Sequence, residues 1–196
     1  MALSPEREGR LTASVFGAAI GINPYMSRQK LFRTIKGLEP KFEGNEMTQW
    51  GNDHEQDAVD AYEAAHGVIV LDAGDKQAFV IDAVHDWLGC TPDGRVAGEA
   101  DRLLEVKCPY NKMYKDIPAY YMAQIQGQMY ITQHHQCDFV AWTEDELRVW
   151  RVDYNETYWE VMFKMLNEFW DYVQDDIEPK RKRKPVLPDV KYELLF

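Results

Sequence analysis

Two carboxylates and a lysine stand close together in the middle of the chain. Thr91-Pro92-Asp93-Gly94 is followed, after a short gap, by Leu103-Leu104-Glu105-Val106-Lys107. A turn delivers Asp93, and the run 103–108 reads as a strand whose side chains alternate between two faces. Glu105 and Lys107 then share one face. With Asp93 beside that face, the carboxylates offer hard oxygen ligands to Mg²⁺ or Mn²⁺, and the Val106 carbonyl could supply another. The Lys107 ammonium could hold an attacking water, help the metal lower that water's pKa and stabilise charge on a phosphate. These are the requirements of metal-dependent phosphodiester cleavage.

Spacing alone fits equally well an Asp-Gly turn followed by a strand whose Glu and Lys face solvent. Composition favours the first reading. Glu105 and Lys107 are interleaved with Leu104, Val106 and Cys108, a pattern apolar enough for an interior strand, and buried charges need partners.

The elements that must position these groups follow from periodicity. Helices are predicted over 12–20, 27–36 and 47–66, then strands over 68–71 and 77–81. After the turn at Asp93 and its strand come a helix over 119–132, strands over 137–142 and 147–152 joined by a polar turn, and a long helix over 156–172. That order predicts an α/β domain with a central mixed β-sheet flanked by helices. The last helix carries Trp159, Met162, Phe163, Leu166, Phe169 and Trp170 at helical spacing, which reads as core or subunit contact. The domain is expected to span 1–176. Beyond it, 177–196 reads as an extended tail with the basic run Lys180-Arg181-Lys182-Arg183-Lys184 between prolines, either solvated or in nonspecific contact with DNA phosphates. Its closing residues Val190, Tyr192, Leu194, Leu195 and Phe196 are apolar enough to dock on the domain or on a neighbouring subunit.

With 196 residues and 45% apolar content the chain supports one substantial core. It has no long apolar run and no signal-like start, so a soluble, cytoplasmic protein without a membrane segment is expected. Cys90, Cys108 and Cys137 are widely spaced, which argues against a disulfide framework, a structural zinc and a four-cysteine iron–sulfur cluster. The net charge of −11 opposes general affinity for nucleic acid. Basic residues are nevertheless grouped: Arg7 and Arg10, then Arg28, Lys30, Arg33 and Lys36, then Lys107, Lys112 and Lys115.

Four segments in order resemble the PD-(D/E)XK nucleases, and among them bacteriophage lambda exonuclease and related viral recombination exonucleases. They are 7–14 (Arg-Glu-Gly-Arg-Leu-Thr-Ala-Ser), 50–58 with its Trp-Gly and acidic residues, the Asp93, Glu105 and Lys107 set, and Tyr121-Met122-Ala123-Gln124-Ile125-Gln126. The resemblance covers roughly residues 7–175 and implies a restriction-endonuclease-like nuclease core. It implies that Asp93, Glu105 and the Val106 carbonyl hold one Mg²⁺, that Asp93 reaches a second, and that Lys107 positions the water. Glu55 would assist at a metal or its water. Arg7, Ser14, Thr91 and Gln124 match positions around the 5′ phosphate of the degraded strand, Gln124 counting also with the catalytic group. An arginine fork, hydroxyls and an amide suit a phosphate.

Each of these residues also has a plainer reading. Arg7 could be a solvated side chain near the terminus, and Ser14 a helix N-cap. Glu55 could lie on a solvated helix face, Thr91 could only shape the turn, and Gln124 with Gln128 could form an exposed polar stripe.

The family further implies a homotrimeric ring around double-stranded DNA, a single-strand annealing protein as partner and, for a phage gene, the host cytoplasm. Two departures stand out: the connection from Lys107 to Tyr121 is shorter than in the lambda enzyme, and Met47 stands where that enzyme has an apolar wedge. The expected activity is 5′-to-3′ exonuclease on duplex DNA, leaving 3′ overhangs for recombination. The alternatives are a restriction- or repair-type endonuclease and a non-catalytic subunit that binds DNA ends.

Overall fold

The computed structural model describes residues 5–40, 44–98 and 102–196. In chain order the elements are β1 (Leu11–Thr12), α1 (Phe16–Ala19), α2 (Arg28–Ile35), α3 (Glu46–Asp53), α4 (Glu55–His66), β2 (Val70–Leu71), β3 (Val80–Ile81), β4 (Leu88–Cys90), β5 (Gly94–Val96), β6 (Arg102–Lys107), α5 (Ala119–Thr132), β7 (Gln136–Thr143), β8 (Glu146–Asp153), α6 (Glu156–Gln174) and β9 (Tyr192–Leu194). The strands form a six-stranded sheet ordered β2-β5-β6-β7-β8-β9 and a three-stranded sheet ordered β1-β4-β3. Both are mixed: β6 runs parallel to β7 and β1 parallel to β4, and the other pairs are antiparallel.

Strand β6 is the centre of the design. Both of its faces are covered, as the near-continuous apolar run requires. Leu103 faces the cluster built on α1, α5 and α6, whereas Leu104 and Val106 face a second cluster with Ala58, Val59 and Tyr62 of α4. Parallel strands need a crossover, and α5 supplies it between β6 and β7. From Met122 to Met129 every residue of α5 is buried, because the helix lies between the sheet and the α1 and α6 layer. Close approach there demands glycine: a Cβ on Gly127 would stand 2.4 Å from the Phe16 ring, and one on Gly17 2.7 Å from the Tyr120 Cβ.

The face of the large sheet opposite α5 has its own polar anchor. Asp138 of β7 is fully buried, accepts from the Tyr62 hydroxyl at 2.6 Å and from Arg151 Nε at 3.0 Å, and pairs with Arg102 Nε at 3.3 Å. Burial and the Asp138 carboxylate both hold the Tyr62 hydroxyl well above the usual phenol range.

Several expectations change in detail. The segment 47–66 is two helices, not one, divided at His54. That ring packs between Trp50, at 3.8 Å between centroids, and Trp142, at 5.5 Å, and the Cys108 thiol donates to the His54 carbonyl. Tertiary contacts at the junction override a continuous helical pattern. Residues 13–15 form a 3₁₀ turn before α1, and Thr12 belongs to β1. The strands near 68–81 shrink to residue pairs and fall in different sheets. Of the two surfaces expected for the closing residues, they use the domain: Leu187 and Val190 pack on the core, the Tyr192 hydroxyl donates to Asp116 at 2.7 Å, and β9 pairs with β8. Lys182 of the basic run pairs with Glu168.

Candidate active site

The β5–β6 hairpin brings Asp93 to Glu105. The Asp93 N–H donates to the Leu104 carbonyl at 3.2 Å, and Asp93 Oδ2 accepts from the Val106 N–H at 2.7 Å. This pair of bonds fixes the turn residue against the strand. Alternation on β6 then directs Glu105 and Lys107 toward α5. Glu105 is completely buried. Gln124 Nε2 donates to its Oε1 at 2.5 Å, and Gln128 Nε2 donates to its Oε2 at 2.6 Å.

Lys107 closes the group. Its ammonium contacts Glu105 Oε1, donates to the Val106 carbonyl at 2.9 Å and lies 3.8 Å from Asp93 Oδ2. It also stands 5.4 Å from the centre of the Tyr121 ring. One cation therefore lies within 4 Å of the three oxygens that the sequence nominates as metal ligands. The donor set suits a hard divalent ion: two carboxylates and a main-chain carbonyl converge on a point where a positive charge is already accommodated. Among the described residues no cluster of three or more His, Cys, Asp and Glu side chains is placed to hold a metal.

The electrostatics agree with the geometry. Burial, then the neighbouring Asp93 charge, pushes the Glu105 carboxyl up to about 7, against the opposing pull of Lys107 and Gln128. Burial also raises Asp93, opposed by Lys107 and the Val106 N–H. Burial alone would lower Lys107, but the charges of Glu105 and Asp93 outweigh it and hold the ammonium above the usual lysine range. Glu55, at the start of α4, accepts from Gln77 Nε2 at 2.5 Å. Burial and then Asp93 raise its carboxyl, and Lys107 opposes them, so Glu55 belongs to the same electrostatic group.

The residues nominated for phosphate divide. Arg7 Nη2 donates to Thr91 Oγ1 at 2.7 Å, and its guanidinium lies 5.6 Å from the centre of the Phe79 ring. Gln124 is directed at Glu105. Ser14 is exposed and its hydroxyl pairs with Thr12 Oγ1 at 3.1 Å; no side-chain bond caps α1, whose N-cap is Val15. The exposed-stripe reading of Gln124 and Gln128 fails, since both are buried. Met47 is exposed on α3.

Sequence reasoning missed Gln128 as a site residue. Besides Glu105 it reaches the Thr91 carbonyl at 3.4 Å, tying the carboxylates to the Arg7–Thr91 pair. The available signal was its position one turn after Gln124 in a segment otherwise rich in buried residue types. Gln126 points elsewhere and binds the Asp153 carbonyl and the Asn155 N–H.

A model of the YqaJ-like viral recombinase domain matches residues 4–135, more than half of the sequence and the whole Asp93–Lys107–Gln128 constellation. The chain belongs to this family. The YqaJ-like fold is shared with solved structures. An alkaline exonuclease from Laribacter hongkongensis superposes with a TM-score of 0.70 at 24% identity, covering 88% of this chain and 91% of that one. The same enzyme in complex with dAMP gives 0.70 at 23% identity over 88% and 91%. A phage-related exonuclease from Haemophilus somnus 129PT gives 0.60 at 15% identity over 85% and 92%. An uncharacterised protein of Acanthamoeba polyphaga mimivirus is 26% identical over 162 residues, 74% of this chain, and the YqaJ-like chain spans 29% of that protein's length. Among the described residues no helix is long and apolar enough to cross a membrane.

Proposed function

We propose that this chain is a Mg²⁺-dependent deoxyribonuclease that degrades one strand of duplex DNA from its 5′ end and leaves 3′ overhangs for recombination. The observation that carries the reading is the convergence of Glu105 Oε1, the Val106 carbonyl and Asp93 Oδ2 on the single ammonium of Lys107. Membership of a viral recombinase family and a fold shared with proteins named exonucleases support it.

Asp93, Glu105 and the Val106 carbonyl would hold the metal, with Asp93 reaching a second ion; Mn²⁺ is expected to substitute. The metal would supply a low-pKa water and a counter-charge for the leaving 3′ oxygen. Gln124 and Gln128 keep both Glu105 oxygens directed. Lys107 orients the attacking water through its ammonium and opposes the charge that grows on the phosphate. Glu55 would assist at a metal or its water. Arg7 and Thr91, with Ser14, receive the terminal 5′ phosphate and so favour phosphorylated ends. By family resemblance the reading extends to a homotrimeric ring around DNA and a single-strand annealing partner.

The test is Mg²⁺-dependent digestion of linear duplexes with 5′-phosphate or 5′-hydroxyl ends, beside covalently closed circles. Preferential loss of the phosphorylated strand supports the proposal. Cutting of circles would reassign the site to an endonuclease, and failure to cut any substrate would leave a binding role.

A further inference from the structure

A groove of about 490 Å³ opens where β6 and β7 end, beside the candidate active site. One wall is the connection that follows Lys107 and carries Tyr110, Lys112 and Lys115. Across from it are the β7–β8 turn, with Glu144 and Asp145, and Arg148. Trp50 completes the lining. Pro109 and Tyr110 of one flank follow Lys107 in the chain, and Trp50 of the other packs on His54, the residue before Glu55.

The walls are segregated by type. Lys112 and Lys115 are exposed, and among the described residues neither forms an ion pair. Tyr110 is 47% exposed and meets Trp50 edge-to-face at 5.7 Å between centroids. Arg148 braces the groove: it pairs with Glu146 at 2.5 Å and donates to the Tyr114 carbonyl at 2.9 Å, so the lysine wall is tied to the hairpin. The remaining acids, Glu144 and Asp145, form the opposite rim. A ligand with an anionic backbone and flat rings fits the wall that carries Lys112, Lys115 and Tyr110.

We propose that the groove is a track for single-stranded DNA, with phosphates against Lys112 and Lys115 and a base stacked on Tyr110, continuous with the strand at Asp93 and Glu105. Its volume of about 490 Å³ lies in the ordinary range for small-ligand sites, roughly 300–1,000 Å³, which is room for a nucleotide unit. The assignment rests on the nuclease reading only for the choice of nucleic acid as ligand. It places substrate contacts on a basic wall while the chain as a whole remains acidic.

The experiment is fluorescence anisotropy of a labelled oligothymidylate with the full chain in EDTA, over a range of salt. Tyr110→Leu should weaken binding about fivefold or more, with Tyr110→Phe restoring it, because base stacking is sequence-tolerant and needs only an aromatic face. Lys112→Gln with Lys115→Gln should lower the slope of log affinity against log salt by about 1.4, two phosphate contacts on a single strand. Absence of binding by the parent chain, unchanged affinity and slope in these variants, or losses seen only with a blunt duplex would each overturn the proposal. No turnover is needed, so the two readings separate. A chain that shows this binding pattern but cuts nothing defeats the nuclease assignment alone, and one that digests DNA without the pattern defeats the groove alone.

Discussion

Gln128 donates to one oxygen of Glu105 at 2.6 Å while Gln124 holds the other at 2.5 Å. Consecutive turns of the crossover helix thus satisfy both oxygens of a carboxylate that has no access to solvent. Gln128→Leu removes one donor and leaves a buried acceptor short, at a cost of about 1–3 kcal/mol in urea unfolding. Gln128→Glu should cost more, since it faces Glu105 with a second acid. A loss under about 0.5 kcal/mol in both would show that the bond contributes little beyond solvation.

Metal binding should depend on pH. Glu105 is raised to about 7, so below that value a proton competes with the ion for the same oxygens. Mg²⁺ affinity, measured by calorimetry, is expected to rise as pH increases toward 7 and to level off above it, with proton release on binding at the lower end. In the metal-free protein the sign for stability is opposite. A carboxyl whose folded pKa is raised binds its proton more tightly when folded, so this contribution declines as pH rises from about 4.5 to about 7. A flat Mg²⁺ isotherm from pH 5 to 8 would contradict the assigned ligand.

Replacing Lys107 separates charge balance from catalysis. In Lys107→Met the ammonium no longer occupies the shared oxygens, so divalent-ion affinity should hold or increase. Turnover on duplex DNA should fall by about 10²–10³-fold, the range for loss of one transition-state donor. Turnover within about tenfold of the parent would remove Lys107 from the mechanism.

Arg7→Ala and Thr91→Val test the phosphate pocket through a ratio. Each should bring the rates on 5′-phosphorylated and 5′-hydroxyl ends together, chiefly by slowing the former. Loss of a charge-assisted contact worth ~1.5–3 kcal/mol corresponds to roughly 10- to 150-fold. An unchanged ratio in both variants would place the end-recognition elsewhere.

On the opposite face of the sheet, Asp138→Ala would leave Arg102 and Arg151 without their shared carboxylate. Breaking one side of a buried ion network costs about 3–5 kcal/mol. Chemical unfolding should register that loss, while Mg²⁺ affinity measured below the unfolding transition stays unchanged, because Asp138 and Glu105 project to opposite faces of the sheet.

The amino-acid sequence by itself determined β6, α5, β7, β8 and α6, because their apolar patterns are long enough to repeat. It also put Glu105 and Lys107 on one face of β6, since a two-residue period requires nothing beyond local geometry, while Asp93 reached them through the β5–β6 pairing. What it could not carry were contacts whose partners are distant in the chain. β1 is two residues long and β4 three, too short for any period, and they exist because they pair, while β3 keeps only the last two residues of the strand expected over 77–81. His54 divides a helical pattern at a junction where its ring packs between Trp50 and Trp142. Gln124 and Gln128 lie 19 and 23 residues from Glu105, and the same spacing on an exposed helix would have made a solvated stripe. Their role was settled when the β6–α5–β7 crossover buried that helix against the sheet, where the two amides donate to the oxygens of Glu105.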